Sequence, residues 1–181
     1  VGTLGLGGLE LSRDGYTLYA VSLADRKLYA IPTTGALSNL SIQSYAIPTS
    51  GLPTPLGTCP SDEVRPFGLG MNEQGVLYVG AVCSSASVNA VANHLAAYVW
   101  TFSGGTFTLA FNTSLQYSRN PYNNTYSNGY IDWHPWQNVD DQSSLPQPML
   151  SDIEFDGQNM ILGFRDRYGD QSPGDGKTLG E

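Results

Sequence analysis

Five carboxylates near the end of the chain are the first side chains whose types and spacing could do chemistry. They are Asp152, Glu154, Asp156, Asp166 and Asp170. The first three alternate, so they would share one face of a strand, and hard oxygen ligands of this kind suit Ca²⁺. Their spacing matches no defined calcium loop, however, and Arg165 and Arg167 could neutralise them as ion pairs. We therefore expect a salt-bridged strand edge, keep calcium as the alternative, and expect no other cofactor.

The two cysteines, Cys59 and Cys83, flank a predicted hairpin, so their side chains can lie next to each other. A disulfide between them would stabilise the fold by about 3 kcal/mol in the loop-entropy model. The alternatives are two free buried thiols or a metal pair. Because two cysteines without nearby histidines make a poor zinc site, we expect the disulfide.

Nucleophilic catalysis is not indicated by the histidines and serines. His94 and His134 are the two histidines of the chain, and Ser84, Ser85 and Ser87 lie near the first of them. No Gly-x-Ser-x-Gly turn presents a nucleophile, so we expect no catalytic residue and no enzyme activity.

Trp133 and Trp136 lie on either side of His134 in a long polar and aromatic segment. Their indoles could stack on a sugar ring. We favour the alternative, in which both tryptophans pack this segment onto the rest of the fold.

Three Asn-x-Ser/Thr sequons predict N-glycosylation sites at Asn39, Asn112 and Asn123. Sequons also arise by chance in a chain rich in Asn, Ser and Thr, so unmodified polar loops are the alternative. Together with the cysteines, the sequons favour an extracellular location.

The composition excludes several classes of function. The net charge of −8 would repel nucleic acid and anionic membrane surfaces. The sequence has no apolar run long enough to insert into a membrane. Only 13% of the residues are charged, whereas the chain holds 21 glycines and 11 prolines. This balance favours short strands and tight turns over long helices.

Turn glycines at Gly15, Gly75 and Gly157 mark three copies of one hairpin pattern. Around each glycine, alternating apolar residues predict two strands with a buried face. A further strand follows the first copy, and two more follow the second. Antiparallel meanders of this kind are the blades of a β-propeller, which typically needs about four to eight blades to close.

The sequence therefore predicts an all-β fold, a partial β-propeller of about three blades that spans residues 1–181 as a single region. Long inserted loops would lie at about 33–65, 84–94 and 115–149. A β-sandwich, which also uses evenly spaced hairpins, is the structural alternative. Because the chain begins at Val1 without a signal peptide, we expect a fragment of a larger secreted chain, incomplete at both ends.

Five stretches carry a more specific signal than the hairpins. They are VRPFG at 64–68, LYVGAVC at 77–83, LAAYV at 95–99, QPMLSDIEF at 147–155 and GFRDRYGDQ at 163–171. With the first hairpin, they resemble the propeller-like N-terminal region of large bacterial cell-surface proteins that carry collagen-adhesin-B-type repeat modules. The resemblance covers most of the chain in the same order. It implies a surface-displayed protein with an adhesion or structural role, and it brings no catalytic residues.

We therefore expect a non-catalytic extracellular scaffold at the cell surface that presents loops for protein or glycan contact. Exposed strand edges would allow self-assembly into a homo-oligomer or filament. The alternatives are a calcium-dependent lactonase-like propeller hydrolase and a carbohydrate-binding module. The hydrolase would need inward-pointing acids from several blades, and the first two copies offer only Glu10, Asp25 and Glu73.

Overall fold

The structure is a computed structural model, and it describes residues 5–36, 39, 41–87, 94–119, 132–137, 145–167 and 170. Within these residues the fold is all-β, and the strand pairings are antiparallel. Three sheets make up the architecture of this part, together with one short hairpin. The described residues contain no helix long and apolar enough to cross a membrane.

The first sheet is a meander whose strands pair in chain order. Its strands are β1 (Leu6–Leu11), β2 (Thr17–Ser22), β3 (Lys27–Pro32) and β4 (Gln43–Ala46). Gly15 takes a φ of +75° in the turn between β1 and β2, as a tight reversal requires. Asp14 Oδ1 accepts hydrogen bonds from Ser12 Oγ at 2.6 Å and from the Tyr16 amide at 3.0 Å. These bonds lower the pKa of Asp14, that from Ser12 most, so the ionised side chain fixes the turn.

The second sheet is the centre of the molecule. It is preceded by a short hairpin of β5 (Pro53–Thr54) and β6 (Gly57–Thr58) and by the 3-10 turn Ser61–Glu63. Its strands are β7 (Val64–Met71), β8 (Leu77–Cys83), β9 (Ala96–Ser103) and β10 (Thr106–Ser114), paired in the order β10-β9-β8-β7. Strands β8 and β9 are buried over most of their length, on both sides of the sheet. Both faces of this sheet are therefore covered.

The third sheet is a hairpin of β11 (Pro148–Asp156) and β12 (Asn159–Asp166). It turns at Gly157, whose φ is +59°. One face of the hairpin packs on the second sheet, and its opposite face carries the alternating acids described below.

Two hydrophobic cores hold the sheets in a stack. The first core lies between the first and second sheets, and it includes Val21 and Leu28 against Leu69, Val79 and Trp100. The second core lies between the second and third sheets. It includes Val82, Val99, Leu115, Trp133, Trp136, Met149, Leu150 and Ile153. The alternation of side chains along β8 and β9 supplies both cores from the same two strands.

The leading strands of the three sheets, β1, β7 and β11, contact one another. Glycine makes this approach possible at two points. A Cβ on Gly70 would lie 1.9 Å from the carbonyl oxygen of Ile153, and a Cβ on Gly8 would lie 2.9 Å from the amide nitrogen of Leu69. Because no side chain fits in these gaps, the backbones of these strands lie closer together than they could with any residue other than glycine at these positions.

The structure contains the predicted disulfide between Cys59 and Cys83, with the two Cα atoms 5.9 Å apart. Cys59 follows β6, and Cys83 is the last residue of β8. Both are buried in the first core. The bridge therefore ties the short hairpin to the central sheet.

The predicted hairpins at Gly15, Gly75 and Gly157 are present, and each belongs to a different sheet. The prediction of the first inserted loop, 33–65, was wrong in part. That segment holds the strand Gln43–Ala46, so the first sheet has four strands within the described residues rather than three. The strand was missed because it is short, and all of it except Tyr45 is exposed, which leaves little apolar alternation to detect.

Candidate interaction surface

The outer face of the first sheet, on the side away from the second sheet, is apolar. Strand register places Leu11, Leu18 and Ile31 side by side there, and Leu9 lies opposite Ala20. Because the neighbouring positions Val21 and Leu28 point into the first core, alternation directs this set outward. We call the following residues the open face: Leu6, Leu9, Leu11, Leu18, Tyr29 and Ile31.

The side chains contributed by β1 are the most exposed part of the open face. Leu6 is 68% exposed, Leu9 57% and Leu11 51%. Monomeric proteins seldom leave such a contiguous apolar patch in water, and patches of this kind mark interaction sites. Apolar residues alternate along the strands of the open face as they do on the covered faces. In the described part of the chain, no further large sheet lies beyond it.

The outer face of the third sheet has a different character. Asp152, Glu154 and Asp156 share it, as their alternation predicted, and Ile161 lies opposite Glu154. Glu10, on β1 of the first sheet, is close enough for Glu154 and Asp152 to affect it. Burial raises the pKa of Glu10, and the charges of Glu154 and then Asp152 raise it further. The charges of two acids on β11 therefore act on Glu10 across the contact between β1 and β11.

The described residues do not assemble the predicted calcium ligands into a metal site. They contain no group of three or more Asp, Glu, His or Cys side chains that could hold a metal ion. Asp166 Oδ1 accepts a hydrogen bond from the Gln147 amide at 2.9 Å, and Asp170 pairs with Arg165 at 2.5 Å. Of these two acids, Asp170 is therefore in an ion pair, as the expected salt-bridged edge predicts, and Asp166 accepts a backbone hydrogen bond.

The prediction that Trp133 and Trp136 could stack on a sugar is not supported, because both indoles are buried in the second core. Trp136 Nε1 donates to the carbonyl oxygen of Pro148 at 2.8 Å. The guanidinium carbon of Arg119 lies 3.8 Å from the centroid of the Trp133 ring, and that of Arg167 lies 4.6 Å from the Trp136 ring. Both tryptophans therefore pack their segment onto the central sheet, which is the alternative that the sequence favoured.

A buried polar cluster beside Trp136 was missed from the sequence. Glu63 is 1% exposed, and its Oε1 accepts a hydrogen bond from the Ser87 amide at 2.7 Å. Glu63 Oε2, Arg65 Nε and Ser84 Oγ are buried without a hydrogen-bond partner among the described residues. Burial lowers the pKa of Arg65 and of Arg167. The charge of Arg26 lowers the pKa of Arg65 further, and the charge of Arg65 lowers that of Arg167. The only signal in the sequence was the pattern Glu63-Val64-Arg65 at the start of β7, which also fits an ordinary exposed turn.

The structure describes the positions of His94 and of the serines considered for catalysis. His94 Nδ1 lies 3.1 Å from Thr54 Oγ1, at hydrogen-bond distance. Ser84 and Ser85 are fully buried, and Ser87 Oγ donates to Glu63. His94 and Ser87 therefore each have a hydrogen-bond partner within the fold.

Two of the predicted glycosylation sites can be placed. Asn39 and Asn112 are both exposed, the first in a turn and the second on β10. Asn123 lies outside the described residues. Glycosylation itself stays a prediction at all three positions.

These features define the class of protein. It is an extracellular or secreted all-β protein with stacked antiparallel sheets, since disulfides form and persist mainly in oxidising compartments. No family model matches the chain, and no solved structure matches it.

Two curated relatives from Dictyostelium discoideum match most of the chain. It is 30% identical to Colossin-A over 172 residues, or 91% of the chain, and 27% identical to Colossin-D over 173 residues, or 94% of the chain. The chain spans only 1% of the length of Colossin-A and 16% of the length of Colossin-D. The resemblance to bacterial cell-surface proteins stays a prediction beside these matches.

Proposed function

We propose that this chain is a non-catalytic scaffold of β-propeller type, displayed at the cell surface, which associates with a second copy of itself through the open face. The observation that carries the proposal is the exposed apolar side of the first sheet. The adhesion role implied by the resemblance is part of the same proposal, because a scaffold that joins copies side by side can present their loops together.

The propeller architecture is supported by the way the sheets stack. Two successive face-to-face contacts join three antiparallel sheets, and the leading strands β1, β7 and β11 gather on one side. Blades of a propeller are arranged in this manner around their axis, and a ring usually needs about four to eight of them. A stack of three blades leaves two blade faces uncovered, one at each end, and the open face is the apolar one of the two.

A second copy is the occupant that the open face favours. The opposite end of the stack exposes acids at Asp152, Glu154 and Asp156, which would be costly to bury against leucines. The open face therefore pairs best with the same face of another copy, around a two-fold axis. Burying a half-exposed leucine contributes roughly 1 kcal/mol, so the leucines of two such faces supply several kcal/mol toward association.

We base the proposed absence of catalysis on the positions of the side chains that could serve as nucleophile or base. The serines nearest His94 are buried or bonded to Glu63, and His94 itself is paired with Thr54. These groups are committed to the fold, which supports a structural rather than a catalytic role.

The test is sedimentation velocity of the intact chain and of two variants over a range of protein concentrations. The wild type should shift from monomer to dimer as its concentration rises. The double variant Leu9→Glu/Leu11→Glu should remain monomeric, because it puts four charges into the paired faces.

Ile161→Glu is the matched control, since Ile161 is 54% exposed on the outer face of the third sheet. It should dimerise like the wild type. A wild type that stays monomeric at every concentration, or a control that loses dimerisation as fully as the double variant, would contradict the proposal.

A further inference from the structure

We propose that Asn112 carries an N-linked glycan that begins in a cleft beside β10 and shields the free edge of the second sheet. The modification rests on the extracellular location and not on association through the open face, whereas its effect on the form of the assembly rests on the proposed function. The inference concerns a surface on a different sheet and predicts a covalent modification.

Strand β10 is an edge that needs protection. It runs for nine residues and, among the described strands, pairs only with β9, so no described strand pairs with its other side. Leu109 is 41% exposed and Phe111 is 39% exposed along it. A long edge strand with exposed apolar side chains is a site for pairing with another chain. The register shift between Leu109 and Phe111 interrupts this edge at one point and leaves the rest regular.

The surroundings of Asn112 offer room for a sugar. Its side chain is exposed beside an open cleft of about 340 Å³. The cleft is lined by Pro53, Thr54, Pro55, Ala96, Asn112, Thr113 and Ser114. The wall formed by β5 is held in place by Tyr98, whose Oη donates to the carbonyl oxygen of Pro53 at 2.9 Å. A first sugar on Asn112 would have the two proline rings on one side and the edge of β10 on the other.

The modification requires only the sequon and a standard donor. Asn112-Thr113-Ser114 places the required hydroxyl two residues after the asparagine. In the transfer, Asn112 Nδ2 forms a bond to C1 of the first sugar of an oligosaccharide linked to a lipid diphosphate. The bond from C1 to the diphosphate oxygen breaks, the lipid diphosphate leaves, and one Nδ2 proton passes to a base of the cellular transferase. The chain is modified before folding, so the later pairing of β9 and β10 does not obstruct the reaction.

A glycan here would also set the form of the assembly. Two copies joined through the open face make a closed pair, because a two-fold contact uses the same surface on both partners. Further growth would need another surface, and the β10 edge is the exposed apolar edge of the central sheet. Covering it confines association to the open face.

The first measurement is the occupancy of the site. The intact chain is secreted from Dictyostelium cells, the organism of both relatives, and its peptides are analysed by mass spectrometry before and after treatment with a peptide N-glycosidase in heavy-oxygen water. The peptide containing Asn112 should appear after treatment as labelled aspartate. Ser114→Ala should abolish the label and Ser114→Thr should keep it, since both hydroxyl residues satisfy the sequon. An unmodified Asn112 in the secreted wild type overturns the proposal.

The second measurement is the effect on the edge. Asn112→Gln is compared with the wild type by light scattering, both in the Leu9→Glu/Leu11→Glu background that removes pairing through the open face. Loss of the glycan should increase higher-order association, and adding Phe111→Lys, which puts a charge on the bare edge, should reverse it. Equal scattering with and without the glycan would overturn the shielding role even if Asn112 is occupied.

Discussion

At the scale of single residues, Glu10 carries the clearest electrostatic consequence of the stack. It is half-buried on β1, and both burial and the charges of Glu154 and Asp152 raise its pKa above 4.5. A carboxyl with a raised pKa binds its proton more tightly in the folded state than in the unfolded one. The free energy of unfolding therefore falls as the pH rises through 4.5 to the folded pKa, and the penalty persists at neutral pH.

Replacing Glu10 by glutamine should therefore stabilise the protein at neutral pH. The gain in the free energy of unfolding should be present at about pH 7 and absent at about pH 3.5, where the wild-type carboxyl is protonated in both states. Urea unfolding at the two pH values measures it. Glu73→Gln, at an exposed turn carboxylate, is the control and should show no such difference. An equal gain from Glu10→Gln at both pH values would show that charge is not the cause.

The sequence was sufficient to predict the disulfide but not the buried polar cluster, because only the disulfide depends on local strand pairing. Cys59 and Cys83 bound one recognisable hairpin, so their proximity followed from local pairing. Glu63, Arg65 and Ser84 become neighbours of Trp136 only when a distant segment packs on the central sheet, as the hydrogen bond from the Trp136 amide to the Ser84 carbonyl oxygen shows. The alternation of Asp152, Glu154 and Asp156 was readable, whereas their approach to Glu10 depends on how the first and third sheets meet.

At the scale of elements, the contact between β7 and β11 is the tightest constraint. Gly70 on β7 faces the carbonyl oxygen of Ile153 on β11, and a Cβ there would lie 1.9 Å away. The neighbouring atom is backbone, so no side-chain rotation can relieve the overlap. One of the two strands would have to move.

Gly70→Ala should consequently destabilise the protein by about 3 kcal/mol or more, the upper range for overpacking at a buried site. Gly15→Ala is the control, because Gly15 has a positive φ and nothing within 4 Å of its Cβ position. That variant should cost only about 1 kcal/mol, from the left-handed backbone alone. Denaturant unfolding compares the free energies of unfolding of the two variants. If the Gly70 variant is as stable as the Gly15 variant, β7 and β11 are further apart than described.

Most of the elements were predictable, because tight turns at glycine and alternating apolar residues mark the hairpins of all three sheets. Strand β4 was not, since three of its four residues are exposed and its place is set by pairing with β3. Because β4 lies at the edge of its sheet, few of its side chains are buried. The alternation of apolar and polar residues that predicts a strand is therefore missing.

At the scale of the whole molecule, the proposed association depends on what covers the open face. The relatives of this chain are far longer than the segment it matches, which is 1% of Colossin-A and 16% of Colossin-D. The open face ends a stack in which each other apolar sheet face is covered by its neighbour within the described residues. The alternating apolar residues of β1 to β3 could be recognised from the sequence. Which face of this sheet stays uncovered could be assigned only from its packing on the second sheet.

Hydroxyl-radical footprinting of the wild type at low and high protein concentration tests this claim most directly, because it reports the solvent accessibility of individual side chains. Oxidation of Leu9 and Leu11 should fall as the protein associates, while oxidation of the equally exposed Ile161 should stay constant. If Leu9 and Leu11 remain as reactive in the associated protein as in the monomer, the open face is not the surface through which the copies meet.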